Sequence, residues 1–146
     1  MGFTRSSAYP WALTGIFGAF HLVLTFIPFA VLGMGGGFLT WGMISAVLVG
    51  FLLGPFYGTL AVLMGSFIGT GVFNLGGILG PIVPVLAPAA GAFAAGALRT
   101  GRIKELFVLF LIATVGFIVG PIGIPAFLFI WMHLITLGII AILLVP

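Results

Sequence analysis

Two histidines, His21 and His133, stand inside long apolar stretches of this chain. Ionisable groups in such stretches are costly and face a protein interior or a cavity. Three kinds of chemistry suit them. Either can contact a bound ligand. The pair can supply the axial ligands of a b-type haem, although no arginine stands where haem propionates would need one. Each can also sit neutral, hydrogen-bonded to a threonine or a backbone carbonyl. Asn74 is the single asparagine and lies among Gly71, Gly76 and Gly77. It suits a helix C-terminal cap or a ligand contact. Trp41, Tyr57 and Trp131 suit interfacial anchors or the stacking walls of a pocket.

Catalysis has little to draw on. The chain has no Asp and no Cys, and its one acidic residue is Glu105, beside Lys104. A nucleophile needs a neighbouring base, and a metal centre needs its ligands. A Ser–His–acid set cannot be assembled within the apolar stretches, so no catalytic residue and no metal site is expected, and the chain is not expected to be an enzyme. The absence of Cys also excludes disulfides, thiolate metal sites and iron–sulfur clusters. Glu105 suits the first turn of a helix, where a negative charge meets the positive end of the dipole.

The elements that hold these residues must be membrane helices. Of 146 residues, 63% are hydrophobic and 3% charged. A soluble domain carries roughly 25% charged residues. Disorder needs the opposite composition. A membrane β-barrel would show alternating apolar and polar positions. The expected class is all-α: a polytopic helix bundle forming a single integral membrane domain over residues 1–146, multi-pass in the cell membrane. Nucleic-acid binding needs a basic patch, and the four cations here do not make one. The first apolar stretch is longer than the 7–15 residues typical of a signal-peptide core, so it is not expected to be cleaved.

Gly and Pro place the span boundaries. About six spans follow, some near the lower length limit of a crossing helix: 11–32, 38–53, 55–73, a fourth ending at 98, 106–119 and 126–145. Gly54-Pro55 separates the second from the third, because Pro fits a first helical turn. Pro81, Pro84 and Pro88 make the start of the fourth irregular. Arg5 precedes the first span, and Arg99, Arg102 and Lys104 follow the fourth. Four crossings separate these groups, which puts both on the cytoplasmic side. Both termini are then cytoplasmic, and loops 33–37, 74–77 and 120–125 are external.

Glycine is abundant, with 24 residues. Small residues four apart let helices approach closely. Such pairs occur at Gly50/Gly54, Gly54/Gly58 and Gly65/Gly69, and internal packing is their ordinary use. On the first span, Ala8, Ala12, Gly15 and Ala19 line one face, widened by Gly18. That face suits docking of another protein's helices.

The stretch VGFLLGPFYGTLAVLMGS (49–66) and the Ala8-xxx-Ala12, Gly15-xxx-Ala19 face resemble the substrate-binding S-components of energy-coupling factor transporters. The resemblance covers most of the chain. It implies a subunit that captures a vitamin-like micronutrient at its external face and docks on a transmembrane coupling scaffold served by two ATPases. The matching external positions are Phe38, Trp41, Asn74 and the 120–125 turn. His21, His133 and Trp131 are further ligand candidates. Family pockets usually hold several polar groups, whereas this chain adds only Thr40 and Thr70, so a small apolar ligand is expected, with no cofactor. Two other readings stand beside this one. The first is a small accessory subunit of a larger membrane complex, such as a respiratory one, packed against other membrane subunits and the bilayer. The second is a haem-bearing electron carrier using His21 and His133.

Overall fold

The computed structural model describes residues 8–32, 37–73, 82–120 and 130–144. The helical class is what it shows, with one short hairpin among the described residues. The order is α1 (Ala8–Thr25), β1 (Pro28–Leu32), β2 (Gly37–Thr40), α2 (Trp41–Phe73), α3 (Val83–Arg99), α4 (Ile103–Val119) and α5 (Ile130–Leu144). Two compact units divide the chain, 1–100 and 101–146. Among the described residues, two stretches are helical, apolar and long enough to cross a membrane, Ala8–Thr25 and Trp41–Val72.

α2 is a folded-back pair. Gly54 has φ 84° and ψ 176°, a left-handed backbone that only glycine adopts without a steric cost. Pro55 follows and opens the next arm without needing its missing N–H. The reversal is visible in the packing: a Cβ placed on Gly58 would sit 2.6 Å from the Cα of Gly50. Eight residues of straight helix would separate those two by roughly 12 Å. The arms 41–53 and 55–73 are therefore antiparallel, as the Gly-Pro boundary predicts. At about 1.5 Å per residue they are roughly 20 and 28 Å long.

The first unit runs up, down, up and down. Trp11 at the start of α1 meets Phe56 and Tyr57 at the start of the second arm. A Cβ on Gly42 would meet the Thr25 side chain at the far end. α3 returns along the pair, so that a Cβ on Gly50 would meet the Ala92 carbonyl oxygen at 2.0 Å and one on Gly96 the Pro55 nitrogen at 2.4 Å. Arg99 closes this end. Its Nη1 donates to the carbonyls of Phe51 (2.5 Å) and Leu52 (2.6 Å), acceptors left open where the first arm stops.

The expected first span is shorter than its apolar stretch. α1 ends at Thr25, and residues 28–32 pair antiparallel with 37–40. Pro28 has no N–H to continue the helix and pushes the residue before it towards extended backbone. The Trp41 N–H donates to the Ile27 carbonyl at 3.0 Å, closing the base of the hairpin. The helix expected as the fourth span begins at Val83, with Pro84 in its first turn and Pro88 inside. The fifth begins at Ile103, earlier than expected, with Glu105 in its first turn. The sixth is described over Ile130–Leu144.

Burial runs opposite to that of a water-soluble fold. The core cluster is Ala46, Val49, Ala61, Val62, Ala89 and Ala92. Buried with it are Thr14, His21, Ser45, Ser66 and Thr70. Large apolar side chains point outward, among them Ile16 (64% exposed), Phe67 (69%) and Val72 (70%). Small residues inside let the helix axes close up, and this contact, rather than exclusion of water, holds helices together in lipid.

Candidate functional site

α1 turns Thr14, Gly18 and His21 inward. Their spacing of four and three keeps them on one helical face. Gly18 lets α1 approach the second arm, since a Cβ there would meet the Ala61 carbonyl oxygen at 3.0 Å. Gly65 serves the same approach from the other side, where a Cβ would lie 2.5 Å from the Gly18 carbonyl oxygen.

This closeness encloses His21 completely. Its Nδ1 lies 2.8 Å from Ser45 Oγ on the first arm. Its Nε2 lies 2.9 Å from Ser66 Oγ on the second. Ser45 donates its single hydroxyl proton to the Gly42 carbonyl at 3.0 Å, so it can only accept from the ring. Nδ1 therefore carries the hydrogen, and Nε2 accepts from the Ser66 hydroxyl. The result is one directed chain: Ser66 O–H to Nε2, Nδ1–H to Ser45 Oγ, and Ser45 O–H to a backbone carbonyl. One imidazole ties three helical segments together and leaves none of its own nitrogens unpaired.

Of the expected partners of a neutral histidine, threonine or a carbonyl, neither is used here; two serines take the place. Spacing within a single sequence did not point to Ser45 and Ser66. The available signal was their rarity, as two of only four serines and the two that stand within apolar helices. The site carries no acid to complete a nucleophilic triad. Ligation of iron through Nε2 of His21 would take the place of its bond to Ser66.

The other candidates fall in both units. Trp41 is 45% exposed at the start of α2. Phe38 lies on β2 opposite Val31, and its side chain is outside the described residues, as is Asn74 altogether. Trp131 is 55% exposed on α5. His133, also on α5, stacks on Phe117 of α4 with centroids 4.6 Å apart and planes at 24°. Its Nδ1 is buried and has no hydrogen-bond partner among the described residues. His133 and Trp131 belong to the second unit, and His21, Phe38, Trp41 and Asn74 to the first. Among the described residues no group of three or more His, Cys, Asp or Glu stands together.

The small-residue face of α1 is open. Ala8, Ala12, Gly15 and Ala19 are all exposed. A Cβ on Gly15 would meet nothing within 4 Å. Gly18, grouped with them by spacing, belongs instead to the inner face. At 100° per residue the two faces lie about a third of a turn apart. α1 thus has one small face spent on α2 and a second left open among the described residues of the first unit.

Comparison with protein-family models, with curated proteins and with solved structures finds no match to this chain.

Proposed function

We propose that this chain is a multi-pass subunit of the cell membrane that works by docking on another membrane protein, and that its role is to capture a small, largely apolar micronutrient at the external face for uptake. The observation that carries the membrane reading is the inverted burial: Ile16, Phe67 and Val72 face outward while Thr14, His21, Ser45 and Ser66 are enclosed. Lipid accepts the first set and forces the second to pair. Arg99 marks the cytoplasmic end by the positive-inside rule. The β1–β2 hairpin then lies at the opposite, external end of the first unit, with Trp41 at its base and Phe38, paired with Val31, nearer its tip. The open face of Ala8, Ala12, Gly15 and Ala19 supports docking on a transmembrane coupling scaffold with its two ATPases.

A second reading has its own support. His21 is the most enclosed polar group, and both its nitrogens are taken by serines of this chain. A polar centre used wholly for helix packing suits an accessory subunit of a larger membrane complex, with no ligand and no catalytic role.

Purification in a mild detergent, followed by mass spectrometry of accompanying proteins and small molecules, separates the two. Recovery of a membrane scaffold, two ATPases and one small molecule per chain supports the uptake subunit. Stoichiometric recovery with redox subunits and no small molecule replaces it with the accessory role.

A further inference from the structure

We propose that Arg99 is a binding site for the phosphate of an anionic phospholipid headgroup, an inference that rests on the membrane reading above. The first argument is charge. The only acidic side chain of the chain is Glu105, so residues 1–100 contain no carboxylate to neutralise Arg99. Within this unit the Arg99 charge is left to an anion from outside.

The second argument is geometry. Nη1 is anchored on the Phe51 and Leu52 carbonyls, and the guanidinium carbon lies 5.4 Å from the centre of the Phe51 ring. The head is thereby held at the Gly54 turn although the residue is exposed. Guanidinium offers five N–H donors. Two carbonyls on one nitrogen leave Nε and Nη2 to present a planar fork outward, the shape that pairs with phosphate through two parallel bonds. A lysine could not hold the carbonyls and present such a fork at once.

The third argument is depth. Trp11, Phe56 and Tyr57 gather at the same end, with Trp11 5.5 Å from Tyr57 and Phe56 5.2 Å from Tyr57, ring centre to ring centre, in edge-on contacts. Trp11 and Phe56 are 56% and 58% exposed. Trp and Tyr settle at headgroup level, which brings the guanidinium to the level of lipid phosphates rather than of hydrocarbon or bulk water.

The test uses the full chain in nanodiscs of phosphatidylcholine, alone or mixed with phosphatidylglycerol, and native mass spectrometry to count retained phosphatidylglycerol. Arg99→Gln should lower the preference for phosphatidylglycerol by well over the roughly fivefold that one cation near an anionic surface supplies without a site. Arg99→Lys, which keeps the charge, should lower it by less. Arg102→Gln removes an equal charge without the carbonyl cradle and should lower the preference by no more than that general, roughly fivefold effect. Equal losses in Arg99→Gln and Arg102→Gln, or no loss in Arg99→Gln, overturn the proposal. Displacement of the lipid by inorganic phosphate assigns the site to a free anion and overturns it too. Circular dichroism of each variant must match the parent, and Arg99→Lys carries the test if Arg99→Gln does not fold. Alkaline extraction of the parent chain from membranes is run separately, since release there overturns the membrane reading itself.

Discussion

Ser66→Ala should destabilise the first unit more than the loss of one hydroxyl suggests. In the parent, Ser66 donates to Nε2 across 2.9 Å in a fully buried setting. Removing the hydroxyl leaves Nε2 as an acceptor with no donor. Ser45 cannot compensate, because it already accepts from Nδ1–H and donates to Gly42. An unpaired buried polar group costs about 1–3 kcal/mol, whereas hydrogen bonds between membrane helices average about 0.6 and reach about 1.7 kcal/mol. The expected loss is therefore about 1–2 kcal/mol. The serine has a fallback that the imidazole lacks. Thr14, Thr114 and Thr136 each bond a carbonyl four residues back, and a hydroxyl at position 66 can do the same once His21 is gone. His21→Leu should thus strand neither serine, and the double variant His21→Leu/Ser66→Ala should be no less stable than His21→Leu alone. The assay is reversible unfolding in mixed micelles over the full double-mutant cycle. A coupling energy indistinguishable from zero, or a neutral Ser66→Ala, would refute the hydrogen-bond assignment.

Nitrogen-15 NMR of labelled histidine should show His21 as the Nδ1–H form; an Nε2–H signal would contradict the directed chain from Ser66 to Gly42. Gly50→Ala should cost about 1–3 kcal/mol, because its Cβ would enter the Ala92 backbone, while Gly15→Ala should be neutral in the isolated chain; thermal unfolding in detergent compares them. Gly54→Ala meets no neighbour within 4 Å, so its expected loss of about 1–3 kcal/mol comes from the backbone alone, whose φ of 84° and ψ of 176° suit essentially glycine only, and Gly54→Asn should lose as much.

The Gly54-Pro55 reversal was legible because both residues act locally: one permits positive φ and the other starts a helix. The hairpin at 28–40 was not. Phe29, Ala30, Val31 and Leu32 are apolar throughout, and a short run of that kind reads equally as buried helix or strand. Pro28 was the available signal, outweighed by the length of apolar sequence around it. His21 was legible as a buried polar group, but its partners depend on how three segments register, and spacing along one chain does not encode that. The faces of α1 were half legible. Ala8, Ala12, Gly15 and Ala19 do share a face, but only packing shows that Gly18 points into the protein and Gly15 out of it.

The docking claim is tested most directly by exchanging Gly15 for leucine. Among the described residues nothing lies within 4 Å of a Cβ at position 15, so Gly15→Leu should leave the fold intact, and its circular dichroism and unfolding should match the parent. Affinity-tagged parent and variant are recovered from the same membranes in mild detergent, and the accompanying scaffold and ATPases are quantified by mass spectrometry. The parent should bring them at fixed stoichiometry and Gly15→Leu should lose them by at least about tenfold, which corresponds to about 1.4 kcal/mol of binding. Undiminished recovery with the variant, or a parent that comes alone, would contradict docking through the outer face of α1.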